Sequence, residues 1–70
     1  MNLYVFEDVL VDYTPGMAMV AGENYEDAVE LARDQFGDLI EEEEGWKRPV
    51  AVYPVTGVKA GVKHYMHGGG

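Results

Sequence analysis

The chain has 70 residues, 13 acidic and five basic side chains, a formal net charge of −8 and no cysteine. A single domain of that size hides only about 60% of the surface its unfolded chain exposes, so net stability on the order of a few kcal/mol is expected unless it self-associates. A disulfide framework and the usual zinc sites are excluded, and no apolar run is long enough to cross a bilayer.

Leu3 to Val11 is rich in β-branched and aromatic residues, with Leu3, Val5, Val9 and Val11 on one face by period-two alternation and Tyr4, Phe6 and Leu10 on the other. Apolar groups on both faces describe a central or doubly covered strand, in which Glu7 and Asp8 must reach water or a partner. Thr14-Pro15-Gly16-Met17 fits a type II turn, and Met17 to Ala21 returns as a second strand to close a hairpin.

A helix is predicted over residues 25 to 36. Asn24 caps it, Asp27 stands three residues on, Glu26 and Asp27 suit the positive end of its dipole, and Gly37 suits its exit. Tyr25, Ala28, Val29, Ala32 and Phe36 fall on one stripe, whereas Glu26, Asp27, Glu30 and Asp34 cover the opposite side.

Beyond it, Glu41, Glu42, Glu43 and Glu44 repel one another and lead into Gly45, which reads as a loop, with Trp46 folded back onto the body. Residues 49 to 55 form a third strand. Thr56-Gly57 gives a tight turn into a fourth strand over 58 to 66, where Gly61 marks a bulge or a weak point. The order β-β-α-β-β describes an α+β domain over residues 1–67, an antiparallel sheet with one amphipathic helix on one face, followed by a flexible glycine tail at 68–70. The expected core is Leu3, Val5, Val9, Val20, Val29, Ala32, Phe36, Val50 and Val52.

Acid and base are segregated along this order. All 13 acids lie between Glu7 and Glu44 with Arg33 as the one base among them, while Lys47, Arg48, Lys59 and Lys63 follow with no acid. Such a field steers a basic partner to one face and repels nucleic acid and anionic membrane from it. Glu26, Glu30 and Asp34 repeat at i, i+4, a spacing that weakens an isolated helix and makes the acids candidates for a partner.

Catalytic chemistry has little to work with. There is no Cys or Ser, and Thr14 and Thr56 sit in expected turns without a base beside them. His64 and His67 would lie on opposite faces of a strand, and the glutamate run lacks the spaced oxygens of a calcium loop, so neither metal nor cofactor is expected. The start Met1-Asn2-Leu3 has no basic or apolar leader pattern, and a soluble cytoplasmic protein is expected.

The segments LYVFEDV and MAMVAG, the latter running straight into NYEDAVELAR, resemble the small acidic accessory proteins of bacteriophages, anti-CRISPR and other host inhibitors among them. That resemblance implies an inhibitor occupying the nucleic-acid or effector surface of a host complex, in some members by imitating phosphate charge. The expected function is therefore a non-catalytic acidic binding protein. Its candidate partner-binding residues are Glu26, Asp27, Glu30, Asp34, Glu41, Glu42, Glu43 and Glu44, and its partner is a basic nucleic-acid-handling protein, with no direct contact to nucleic acid. The alternative is an assembly module that forms homodimers or larger homo-oligomers through sheet edges and Met17, Met19, Tyr53 and Tyr65.

Overall fold

The computed structural model describes residues 1–69. Strands β1 (Asn2–Asp12), β2 (Thr14–Gly22), β3 (Ala51–Pro54) and β4 (Gly61–Met66) form one antiparallel sheet in the order β3-β1-β2-β4. Helix α1 (Tyr25–Phe36), the single turn α2 (Leu39–Glu42) and a 3-10 turn (Glu44–Lys47) lie between β2 and β3 in sequence. The fold is α+β, as the element order implies.

Helix α1 has the expected bounds because its local signals agree with its packing. The Asp27 N–H donates to Asn24 Oδ1 at 2.8 Å, and Gly37, at φ 73, returns its N–H to the Arg33 carbonyl. Ala28 and Ala32 are buried against the sheet, and Tyr25, Val29, Leu31 and Phe36 pack beside them.

Val5 and Val9 are buried as expected, but the helical layer packs on the other face of β1. Tyr4 and Phe6 point toward the helix, opposite Val20 and Ala18 of β2, and Trp46 caps them with its ring 5.0 Å from that of Phe6. Leu3 is half-buried on the other face, and Val50 and Val52 are exposed, because α1 lies over β2 and β4 and the 3-10 turn over β1, leaving β3 outside both. Alternation cannot choose between two apolar faces of a strand; the indole makes the choice here, contributing about 150–250 Å² of contact from far along the chain.

Period two also fails within β1. Register shifts between Glu7 and Val9 and between Val9 and Asp12 break the ladder, Asp8 and Leu10 adopt φ 58 and 52, and Val9 and Leu10 are both buried as a result. The hairpin reverses at Tyr13 (φ 67), with Asp12 paired to Thr14, and not over residues 14 to 17. Gly16 lies inside β2, opposite Val9. A Cβ there would strike the backbone of Val9, Met66 and Gly68, so glycine serves close approach and not a turn.

Three further expectations change. The glutamate run is not a loop: it ends α2 and opens the 3-10 turn. Strands β3 and β4 do not form a hairpin but occupy opposite edges, joined by residues 55–60 past the Asn2/Gly22 end of the sheet, and the bulge in β4 falls opposite the Met19/Val20 step and not at Gly61. The tail is held through Gly69. The Gly68 N–H donates to the Leu10 carbonyl, and the Gly69 N–H donates to Thr14 Oγ1, whose hydroxyl donates to the Gly69 carbonyl. Gly70 lies outside the described residues.

Replacing Trp46 with Ala should cost about 3–5 kcal/mol in urea unfolding, most or all of the stability of so small a domain. Val52→Ala should stay within about 0.5 kcal/mol of the parent. Equal losses would mean that β3, at the sheet edge, is covered as deeply as β1.

Candidate functional site

The outer side of the helical layer carries the candidate acids. Glu26, Asp27, Glu30 and Asp34 are exposed along α1, Glu41 and Glu42 on α2, and Glu44 at the start of the 3-10 turn. Arg33 ties two of these stretches together: its Nη1 donates to Glu30 Oε1 at 2.6 Å, and its Nη2 lies 3.9 Å from Glu41 Oε1. Lys47 reaches Glu44 at 3.1 Å. Glu26, Asp27, Asp34 and Glu42 have no ion-pair partner among the described residues.

The remaining member of the glutamate run behaves differently from its neighbours. Glu43 is half-buried, its Oε1 accepting from the Leu10 N–H and from Trp46 Nε1, each at 2.9 Å, and its Oε2 accepting from the Val11 N–H at 2.8 Å. Both oxygens are spent inside the protein, so its charge serves the fold. The spacing Glu43-x-x-Trp46 is the local signal: on one turn, a carboxylate three residues before an indole meets its N–H.

Sequence reasoning also left out Glu23. Together with Asp27 and Glu30 it borders an open cleft of about 310 Å³ whose remaining walls are Met1, Gly22, Leu31 and Ala60. The Met1 ammonium lies 3.7 Å from Glu23 Oε2, so this cleft already attracts a positive group. Apolar walls under an acidic rim suit the aliphatic stem and charged head of a lysine or arginine.

The groups weighed for other chemistry are dispersed. The Thr14 hydroxyl is engaged by Gly69. His67 stands edge-on to Phe36 and Tyr65, at 6.5 and 5.7 Å between ring centres, whereas His64 pairs with Met19 on the opposite sheet face. Among the described residues no three His, Asp or Glu side chains converge as metal ligands, and no helix is long and apolar enough to cross a membrane.

On the far side of the sheet no helix is packed among the described residues. The register places Leu3, Val5, Met17, Met19, Ala21, Tyr53 and Met66 on that face. Val5 and Ala21 are buried, Leu3, Met17 and Met19 half-buried, and Tyr53 and Met66 exposed. The molecule thus has an acidic helical side and an apolar sheet side. No protein-family model matches the chain, and neither a curated protein nor a solved structure matches it.

Removing the Glu43 carboxylate should be costly where removing its neighbour is not. Glu43→Ala should lose about 1.5–3 kcal/mol, the worth of hydrogen bonds to a charged acceptor. Glu42→Ala should change little, within about 0.5 kcal/mol. Chemical denaturation of the two variants checks this, and similar losses would mean that Glu43 is as free as the rest of the run.

Proposed function

We propose that this protein is a non-catalytic acidic binding protein that docks the outer side of its helical layer on a basic, nucleic-acid-handling surface of a host complex. The observation that supports it is the one-signed charge of that side: Glu26, Asp27, Glu30, Asp34, Glu41, Glu42 and Glu44 are exposed, and among the described residues only Arg33 and Lys47 pair with any of them. Carboxylates so arrayed pair with lysines and arginines that otherwise hold phosphates; they speed encounter and compete with nucleic acid. The phage-inhibitor resemblance of the first half of the chain supports the same class of partner. Glu43 drops out of the docking set because its oxygens are occupied, and Glu23 joins it.

Affinity capture from lysate of a candidate bacterial host tests the proposal. The parent should recover a nucleic-acid-binding complex that added DNA or about 0.5 M salt releases, and the Glu26→Lys, Glu30→Lys, Asp34→Lys variant should not recover it. Recovery of the same partners by both proteins at the same salt would refute acidic docking.

A second reading has its own support in the sheet face that no helix among the described residues covers: Met17, Met19 and Tyr53 lie on it with Met66, whereas Tyr65 pairs with Ala18 on the other face and packs on Phe36. Under this reading the domain is an assembly module that joins copies through that face. Sedimentation equilibrium at rising concentration should then show a dimer that Met19→Lys abolishes, whereas a monomer at all concentrations excludes it.

A further inference from the structure

The distal end of the β1–β2 hairpin has an unusual construction. Asp12 and Thr14 are paired, so Tyr13 alone makes the reversal, at φ 67 and with 92% of its surface exposed. A bulky residue is disfavoured at positive φ, and a one-residue reversal is the kind of place where glycine or asparagine would fit without strain. Val11, beside it, is half exposed. Backbone held in a disfavoured region persists only where its surroundings enforce it, and such positions cluster at sites that do something.

The surroundings do enforce it, from both sides. The Glu43 carboxylate accepts from the Leu10 and Val11 N–H groups on one flank, while on the other the Gly68 N–H donates to the Leu10 carbonyl and the Thr14 hydroxyl is bound by Gly69. Two separate parts of the chain, Glu43 and the Gly68-Gly69 segment, therefore brace the base of the tip. The ring at its apex is almost fully exposed, so little contact repays the strain. An exposed aromatic on a braced tip loses little entropy when it is buried by a partner, which is what interface hot spots require.

We propose that Val11–Tyr13 is a pre-formed anchor that inserts the Tyr13 ring into an apolar pocket on a protein partner, with Asp8 and Asp12 meeting basic groups at the rim of that pocket. Those acids, with Glu7, rule against the other surfaces that accept an aromatic tip, since nucleic acid and anionic membrane are both repelled by them. The inference rests on the proposed basic partner for its setting, but it uses residues of the hairpin and none of α1.

Photo-crosslinking from the tip tests it. The full chain carrying Tyr13→p-benzoylphenylalanine is irradiated in lysate of the candidate host, with unlabelled parent, Tyr13→Gly and the Glu26→Lys, Glu30→Lys, Asp34→Lys variant as competitors. Glycine suits the backbone at 13, so Tyr13→Gly should melt within a few degrees of the parent, which separates lost binding from lost fold. The expected result is one discrete protein adduct that the parent suppresses and that Tyr13→Gly suppresses at least about tenfold less well. No adduct, an adduct to nucleic acid or lipid, or equal competition by Tyr13→Gly overturns the anchor. If the charge-reversed protein competes as well as the parent, the tip stands and the acidic docking surface falls.

Discussion

One carboxylate holds the two layers of this protein in register. Beyond Glu7 the first strand departs from its ladder, with Asp8 and Leu10 at positive φ, and a bulge of this kind turns backbone N–H groups away from their neighbours. Leaving such a group unpaired where it is partly buried, as at Leu10, would cost about 1–3 kcal/mol. Glu43 accepts from two of them, at Leu10 and Val11, and with the same oxygen that meets Leu10 it fixes the indole of Trp46. The indole then covers Phe6 and packs beside Phe36, 5.7 Å between ring centres, which decides the face of the sheet that becomes the core. Gly45 lies between the two anchored residues because a Cβ there would strike the backbone of Glu7 and Asp8. The bulge and the 3-10 turn are therefore a single unit.

The arrangement sorts the surface into three kinds. With Trp46 and α1 on one face of the sheet, the hydrophilic half of the helical layer is left outward and is acidic almost throughout. The opposite face keeps an apolar surface with no helix on it, and the braced hairpin end projects from the body of a molecule whose principal extents are 36, 18 and 17 Å. Long-range attraction belongs to the first surface, burial to the second and third. A partner drawn by charge and held by shape would use more than one of them.

Helix α1 was fully legible in the sequence because periodicity, Asn24, Asp27 and Gly37 all point the same way, and its packing agrees with them. The same is true of the acids at Glu26, Glu30 and Asp34, whose spacing alone puts them together. The parts that were not legible depend on distant residues. Leu3 and Val5 alternate as well as Tyr4 and Phe6 do, and Trp46 settles which pair the helical layer packs on. Thr14-Pro15-Gly16 has the composition of a turn, but a chain crossing at Gly68 needs the space that Gly16 leaves, so the reversal moves to Tyr13. Glu41 to Glu44 look alike in sequence, and only the Trp three residues on distinguishes Glu43.

Amide hydrogen exchange at Leu10 and Val11 tests the role of Glu43 most directly. In the parent both amides should exchange slowly, Val11 included despite its exposed side chain, and in Glu43→Ala both should exchange as fast as the amide of Tyr13 while α1 keeps its protection. Fast exchange of Leu10 and Val11 in the parent, or protection that survives Glu43→Ala, would contradict the account.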